Sequence, residues 1–135
     1  MIKYTNSLEN ITLEQLKGFF KGWKNPPTPQ VHLKLLKGSY RVVLALDEQT
    51  RNVIGFITAI SDDTSSAYIP FLEVLPEYQN QGIGSELMRR MLAELEEFYM
   101  IDLLCDEELV KFYEDFGMKK CTGMMIRNYD KQSGK

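Results

Sequence analysis

The chain has 135 residues with a hydrophobic share of 44% and a charged share of 26%, so we expect one globular domain spanning residues 1–135. The formal net charge of −3 argues against nucleic acid as a partner. Neither a long apolar run nor a signal-peptide pattern is present, so we expect a cytoplasmic protein without a membrane partner.

The residues before the first long strand pattern predict one short strand and two helices. The strand is expected at residues 2–5, and Thr12 is expected to cap a helix with Gln15 as its capping-box partner. The inner stripe of that helix would consist of Leu13, Leu16 and Phe20, with Phe19 beside it. After a proline-rich break, a second helix is expected at about residues 30–37, with Gly38 as its C-cap.

Three strand patterns follow, at residues 40–46, 53–60 and 67–75. The first two are rich in β-branched residues, which favour strands. Short polar turns join all three segments. This arrangement predicts an antiparallel meander.

A long amphipathic helix is predicted at residues 83–99, directly after a short loop that contains two glycines. Its apolar stripe is formed by Leu87, Met91, Leu95 and Phe98, with Met88 and Leu92 flanking it. Glu86 and Arg90 lie four residues apart on the opposite face, where they are expected to pair.

The remaining elements are expected to complete the sheet. A strand at residues 100–105 should lie parallel to the strand at 67–75, because a helix connects the two. A short helix follows at residues 107–116, with Asp106 at its N-cap, and a last strand is expected at residues 121–129.

The cysteines and the single histidine argue against a metal site. Cys105 and Cys121 are too few for a disulfide framework or a metal-ligand cluster, and Cys105 is expected as a buried, reduced thiol at the end of a strand. His32 is the only histidine, which excludes a metal site with two imidazole ligands and argues against a Ser-His triad. We expect His32 to have a surface or a hydrogen-bonded structural role.

The most informative stretch is the loop Gln-Asn-Gln-Gly-Ile-Gly-Ser at residues 79–85. The first N–H groups of a helix have no internal partner and lie at the positive end of the helix dipole, so phosphate oxygens bind there. Gly82 and Gly84 lack Cβ atoms, so the backbone turns tightly and a bulky anion approaches it closely. The loop therefore predicts an anion site.

Two common phosphate-binding motifs do not fit this loop. No Gly-Lys-Ser/Thr follows the glycines to hold a magnesium-bound triphosphate, which excludes a P-loop. The third glycine and the following βαβ unit of a dinucleotide fingerprint are also missing.

The loop and the strand before it resemble the coenzyme A signature of the GNAT N-acetyltransferases. The usual form of that signature is an apolar strand, Val-x-Pro, and then Gln/Arg-x-x-Gly-x-Gly/Ala. The matching residues here are Val74, Pro76, Gln79, Gly82 and Gly84.

A second block, at residues 106–118, resembles the GNAT ending Asn-x-x-Ala-x-x-Phe-Tyr-x-x-x-Gly-Phe. Its outright matches are Phe112, Tyr113 and Gly117. Asp106 stands where the family usually has Asn, Leu109 where it has Ala, and Met118 where it has an aromatic residue. The resemblance covers roughly residues 54–129.

This resemblance implies an α/β (α+β) fold of the GNAT acyl-CoA N-acyltransferase type, with a central mixed, mostly antiparallel sheet flanked by helices. It implies an N-acetyltransferase that moves an acetyl group from acetyl-CoA to a primary amine by direct attack in a ternary complex. The implied partners are acetyl-CoA as co-substrate and a small-molecule or peptide amine, with no metal. The protein is expected to be a monomer or a homodimer.

The resemblance also implies which residues form the site. The expected cofactor-binding residues are Leu72, Glu73, Val74, Gln79, Asn80, Gln81, Gly82, Ile83, Gly84, Ser85, Asp106 and Tyr113. The amides of the loop would bind the pyrophosphate, and the main chain of the strand would pair with the pantetheine arm. A main-chain N–H at Val74 or its neighbour would face the thioester oxygen.

Tyr113 and Glu73 are the expected catalytic residues. Tyr113 would give its proton to the leaving sulfur, since a phenol stays protonated at neutral pH; the alternative is a core aromatic residue beside Phe112. Glu73 is a candidate base or substrate contact, although an ordinary structural role is also open. Water relayed from a carboxylate is an alternative base, because Tyr68 falls near the position where some relatives keep a strand glutamate.

Other readings stay open at this point. Asp106 has the alternative role of a simple helix cap, and Trp23 either lines an acceptor pocket or plugs the edge of the core. The chain as a whole has the alternative of a non-catalytic acyl-CoA-binding regulatory or interaction module. A nucleotide-binding protein is a third reading, which stabilisation by ATP or NAD would indicate.

Overall fold

The computed structural model describes all of residues 1–135. Its strands are Ile2–Thr5 (β1), Arg41–Asp47 (β2), Val53–Ser61 (β3), Ser66–Tyr68 (β4), Leu72–Val74 (β5) and Met100–Asp102 (β6). Its α-helices are Pro29–Gly38 (α1), Ile83–Glu94 (α2) and Val110–Glu114 (α3). Short 3-10 turns cover Leu13–Leu16, Pro76–Tyr78, Glu107–Leu109 and Tyr129–Lys131. No helix combines the length and the apolar character needed to cross a membrane.

The strands form one mixed sheet in the order β1-β2-β3-β4-β6, with β5 paired to β3 beside this path. All pairs are antiparallel except β4 with β6, which run parallel. The antiparallel meander and the parallel strand after the long helix are thus confirmed. Helices flank this sheet, as the resemblance implied.

The segment expected as one strand at residues 67–75 is two strands with a break between them. β4 ends at Tyr68 and β5 begins at Leu72, and the break contains Pro70, which has no N–H to donate to a ladder. Both pieces pair with β3, but only β4 continues to β6. The sheet is therefore split at this point, and β5 has a strand partner on one side only.

The core lies on both faces of the sheet, because successive residues of a strand point to opposite faces. On β2, Val43 and Ala45 face α2, whose buried side chains are Ile83, Leu87, Met88 and Met91, with Leu95 just past the helix end. Val42 and Leu44 face the other way, toward α1 and the aromatic residues that precede it. Helix α2, which begins at the glycine loop, is thus held firmly against the sheet.

The expected first helix is only a 3-10 turn at Leu13–Leu16. The capping box is formed, with the Thr12 N–H donating to Oε1 of Gln15 at 2.8 Å. Leu13 is 43% exposed, so it does not belong to the inner stripe that we expected. The helix does not continue, because Lys17 is extended, with ψ of 148°, and Gly18 adopts a left-handed backbone with φ of 96°.

Three further boundaries differ from expectation. Helix α2 ends at Glu94, several residues before the predicted end at residue 99. Strand β6 stops at Asp102, before Cys105. Gly38 is the last residue of α1, and the C-cap is Ser39, whose N–H donates to the Leu36 carbonyl.

The strand expected at residues 121–129 is absent. No backbone N–H of residues 119–128 donates to another backbone group, and Met124 and Ile126 are exposed. The end of the chain is attached elsewhere, since the Asn25 N–H donates to the side chain of Gln132. A strand needs a partner edge, and the sequence does not show whether one is present.

His32 has neither of the roles expected for it. It is 1% exposed, and its ring packs against the rings of Phe19, Phe20 and Phe56 at centroid distances of 5.3, 4.9 and 4.4 Å. Neither ring nitrogen has a hydrogen-bond partner. Burial lowers the pKa of His32 to about 4, so the ring is neutral at pH 7.

Candidate functional site

A row of unpaired amides lies at the start of α2. None of the backbone N–H groups from Asn80 to Ser85 donates a hydrogen bond within the chain, and the first paired amide is that of Glu86, which donates to the Gly82 carbonyl at 3.0 Å. Such donors carry the positive end of the helix dipole. The loop therefore has both the donors and the field to bind a di-anionic group.

The backbone conformation of the loop depends on Gly82 and Asn80. Gly82 is the N-cap of α2 with φ of 83°, and Asn80 has φ of 63°. Glycine adopts this left-handed conformation without strain, and asparagine tolerates it better than most residues. Gly84 differs, because it lies inside the helix, and a Cβ there would meet Val74 and Phe112 only at 3.8 and 3.9 Å.

Gln79 braces the loop against β5. Its Nε2 donates to the carbonyl of Val74 at 2.9 Å, across the turn that separates the strand from the helix. This hydrogen bond connects the loop to β5. It fixes the distance between the strand and the amide row.

The free edge of β5 exposes main-chain groups. The Phe71 carbonyl accepts from β3 at 3.1 Å and the Leu75 N–H donates to β3 at 2.9 Å. Since antiparallel ladders alternate, the N–H and C=O groups of Leu72 and Val74 point away from β3, where no strand follows. Apart from the Val74 carbonyl bound by Gln79, these groups are unpaired. An extended ligand can pair with them as a strand would.

A cavity of about 230 Å³, here called the strand-edge cavity, lies between β5 and the chain after β6. Its lining residues are Ile69, Pro70, Leu72, Leu104, Cys105, Asp106, Leu109 and Tyr113. The split of the sheet creates this space, because β5 and β6 do not pair. The cavity brings together Leu72, Asp106 and Tyr113, three of the expected site residues.

Tyr113 is half-buried on α3, where its ring packs beside Phe112 and also lines the strand-edge cavity. Its ring packs edge-on against Phe112, with 4.9 Å between centroids. Its hydroxyl makes no hydrogen bond within the chain, so the proton is free for a ligand. Burial, and secondarily the nearby Cys105, raises the pKa of Tyr113 to about 12. The phenol is therefore protonated at every physiological pH.

Cys105 is exposed and not buried as expected, and it lines the same cavity as Tyr113. Strand β6 ends before it, so the residue is not enclosed by the sheet. Burial, followed by the charges of Asp106, Glu107 and Glu108, raises the pKa of the Cys105 thiol. Cys105 is accordingly a protonated thiol at neutral pH.

Asp106 occupies the N-cap position of the turn before α3, as expected, but its side chain makes no capping hydrogen bond. The carboxylate is left free to line the strand-edge cavity. Of the neighbouring acidic residues, Glu107 is neutralised by Lys120, with the Nζ and Oε2 atoms 2.9 Å apart. Asp106 is the only carboxylate that lines the strand-edge cavity.

Glu73 lies on β5 but points away from the strand-edge cavity. Its carboxylate accepts from the N–H of Phe20 at 2.9 and 3.0 Å and from that of Lys21 at 3.2 Å. These donors belong to a loop with left-handed backbones at Gly18, Phe20 and Gly22. Glu73 therefore fastens this loop to the strand.

A second cavity, of about 340 Å³, opens on the Glu73 side of β5 and is here called the aromatic cavity. Its lining residues are Phe20, Lys21, Trp23, Pro70, Phe71, Leu72, Glu73, Val74 and Gln79. Trp23 lines this cavity and also packs against the edge of the core. Because Pro70 and Leu72 line both cavities, the two meet at β5.

Sequence reasoning missed two parts of this arrangement. The pairing of Glu73 with the Phe20 loop joins residues 53 positions apart, and no local pattern shows it. The only local signal for this loop is the pair of glycines, Gly18 and Gly22, on either side of the apolar residues for which a helix is expected. The exposure of Cys105 was missed because the strand before it was predicted too long.

Comparisons with known proteins agree with one another. The model of the acetyltransferase (GNAT) family matches residues 8–118. The chain is 46% identical to a candidate acetyltransferase from Deinococcus radiodurans R1, whose crystal structure superposes with a TM-score of 0.95 over 98% of this chain and 92% of that one.

Two further relatives extend this comparison. A GNAT family acetyltransferase structure from Streptococcus pneumoniae TIGR4 is 34% identical, with a TM-score of 0.76 over 95% of this chain and 98% of that one. The uncharacterized N-acetyltransferase ycf52 of Pyropia yezoensis is 28% identical over 123 residues, which cover 87% of this chain and 70% of the relative.

Proposed function

The chain belongs to the GNAT family of acetyltransferases, and we propose that it moves an acetyl group from acetyl-CoA to a primary amine. The observation that carries this proposal is the row of unpaired amides from Asn80 to Ser85 beside the free edge of β5. Residues 1–135 would form a single catalytic domain in this proposal. Its cytoplasmic location stays a prediction.

Acetyl-CoA would bind in an extended form along the site. Its pyrophosphate would take hydrogen bonds from the amides of residues 80–85 at the start of α2. The pantetheine arm would pair with the Leu72 carbonyl and with the Val74 N–H, as an added strand does. The thioester would then lie in the strand-edge cavity, next to Tyr113.

The reaction joins the amine nitrogen to the acetyl carbon and breaks the bond from that carbon to sulfur. The negative charge that develops on the acetyl oxygen needs a donor, and we assign the N–H of Leu72, because Leu72 lines both cavities whereas Val74 lines only the aromatic cavity. One such preorganised donor stabilises the intermediate by about 3 kcal/mol.

Proton transfers complete the reaction. The attacking amine must first lose a proton, since an alkylammonium has a pKa near 10. We propose that this proton passes to Glu73, directly or through one water, because Glu73 is the carboxylate on the aromatic-cavity side. Tyr113 donates its hydroxyl proton toward the departing sulfur, and the second proton that the nitrogen loses as the amide forms restores the phenol, directly or through water.

Thiol release from acetyl-CoA, measured with a panel of primary amines, tests this function. The proposal predicts amine-dependent release of free CoA, with the acetyl group recovered on the amine nitrogen. Calorimetry on the same protein measures CoA affinity independently. Tight CoA binding with no release for any amine would contradict the enzyme and favour a non-catalytic acyl-CoA-binding module.

A further inference from the structure

The aromatic cavity combines a carboxylate with a wall of aromatic rings. The rings of Phe20, Trp23 and Phe71 contact one another, with centroid distances of 5.0, 6.1 and 5.9 Å for the three pairs. Glu73 lies beside this wall on β5, and all four side chains line the cavity. Aromatic faces and a carboxylate both attract cations, and Glu73 is the only carboxylate in this lining.

The carboxylate of Glu73 is held in place by hydrogen bonds and still has free acceptor sites. The N–H groups of Phe20 and Lys21 fix its orientation, but a carboxylate has about four acceptor sites and receives donors from only these two groups. The opposing charge is that of Lys21, whose exposed side chain is screened by water. A ligand cation in the cavity therefore meets a preorganised anion.

The position and the size of the aromatic cavity limit the kinds of ligand that fit it. It shares Pro70 and Leu72 with the strand-edge cavity, so a group bound here lies next to the place where the thioester is expected. A volume of about 340 Å³ suits a compact organic molecule and is at the lower end of ligand pockets. An amine is the nucleophile that the proposed reaction requires.

We propose that the aromatic cavity is the acceptor site and that it binds a small-molecule primary ammonium on an apolar body, through Glu73 and the exposed faces of Trp23 and Phe71. This inference rests on the acetyl transfer proposed above. It goes further because it assigns a substrate class, a compact cationic amine. A small-molecule amine is thereby favoured over a peptide amine as the acceptor.

The single tryptophan of the chain makes this proposal directly measurable. Because Trp23 is the only tryptophan and lines the cavity, its fluorescence reports on occupancy of this site alone. The probes are benzylamine, which is a cation at pH 7, and benzyl alcohol, which has nearly the same shape and no charge. We expect benzylamine to perturb Trp23 fluorescence and to bind about tenfold more tightly than benzyl alcohol.

Variants separate the charge of Glu73 from its role in fixing the loop. Glu73→Gln keeps an oxygen for the Phe20 N–H and removes the charge, so benzylamine should lose most of its tenfold advantage while benzyl alcohol binds as before. Glu97→Gln is the matched control, because Glu97 is exposed and has no ion pair or hydrogen bond, and it should leave both affinities unchanged. Unchanged emission of Trp23 in unliganded Glu73→Gln verifies that the loop is retained.

Titrations with and without saturating CoA distinguish the failure of this inference from failure of the proposed function. Equal affinities for the amine and the alcohol, no response of Trp23 to either probe, or an unchanged benzylamine affinity in Glu73→Gln would overturn the acceptor site, even if the enzyme acetylates some amine. If benzylamine binds as predicted but no amine causes release of CoA, the cation site is supported. Only the proposed acetyl transfer is then contradicted.

Discussion

The carboxylate of Glu73 accepts a hydrogen bond from the backbone N–H of Phe20 at 2.9 Å and thereby joins a strained loop to β5. Phe20 has a left-handed backbone with φ of 63°, which costs a non-glycine residue about 1 kcal/mol or more. Glu73 lies on β5, the short strand beside the split in the sheet. The geometry of the loop at residues 18–23 therefore depends on one side chain of the candidate site.

Replacing Glu73 by alanine should destabilise the fold more than replacing it by glutamine. Alanine leaves the N–H groups of Phe20 and Lys21 without an acceptor, whereas glutamine retains one oxygen. Because the carboxylate is only half-buried, we expect a difference of about 1–2 kcal/mol in the free energy of unfolding. Urea denaturation of the two variants measures it. Equal unfolding energies would show that the loop holds its conformation without Glu73.

Tyr113→Phe should lower turnover by about tenfold or more while CoA affinity stays within about twofold of the wild type. The change removes only the hydroxyl, which makes no hydrogen bond in the structure, so the packing against Phe112 is kept. Stopped-flow thiol release gives the rate, and calorimetry gives the affinity. Wild-type turnover in this variant would exclude Tyr113 as the acid.

The pKa of Tyr113 adds a pH test to the same comparison. Burial raises that pKa to about 12, so the phenol keeps its proton as the pH rises through the range in which an ordinary tyrosine ionises. The wild-type rate at saturating substrates should therefore not fall between about pH 8 and about pH 10. A decline near pH 10 that disappears in Tyr113→Phe would contradict the buried position of the hydroxyl.

Two glycine substitutions in the loop at residues 79–85 should differ in their effects on stability and on CoA affinity. Gly82→Ala places a Cβ on a residue with φ of 83°, so we expect about 1 kcal/mol of lost stability and at least about tenfold weaker CoA binding as the amide row shifts. Gly84→Ala is the matched control for stability, because its Cβ meets neighbours only at ordinary contact distance and its backbone is helical. Thermal denaturation with and without CoA compares the two. Equal stability of both variants would argue against the left-handed cap.

His32 should make the protein less stable as the pH falls toward 4. The pKa of His32 is about 4 in the folded state and 6.5 in the unfolded state. Between these two pH values the unfolded chain binds a proton at His32 and the folded chain does not. The free energy of unfolding should drop by up to about 3 kcal/mol over this interval. In His32→Leu this part of the pH dependence should vanish, and stability at pH 7 should rise, because two unpaired buried nitrogens are removed. If the free energy of unfolding had the same pH dependence in His32→Leu as in the wild type, the burial of the ring would be contradicted.

The sequence predicted those parts of the fold that depend on local pattern. The strands at residues 2–5, 40–46 and 53–60, the helix after the glycine loop and its pair of Glu86 and Arg90 all occur, because each follows from periodicity or spacing within one segment. The position of the glycine loop at the start of α2 was also predictable, since its glycines and its flanking strand are contiguous in the chain.

The remaining features depend on contacts between distant residues. The strand expected at residues 121–129 has no partner edge. The expected first helix ends at Leu16, where the chain enters the loop that Glu73 on β5 holds through the N–H of Phe20. The aromatic cavity was not predictable for the same reason. It forms where the loop of Trp23 meets Phe71, and nothing in either segment alone indicates the other.

The most direct test of the account is an amide-resolved NMR titration of the protein with CoA. If the unpaired N–H groups of residues 80–85 bind the pyrophosphate, their resonances should show the largest shifts, followed by those of Leu72 and Val74 on the free edge of β5. Inorganic pyrophosphate should shift the loop amides and leave the strand unchanged. The absence of any CoA-induced shift at residues 80–85, or the largest shifts at another surface, would contradict the account.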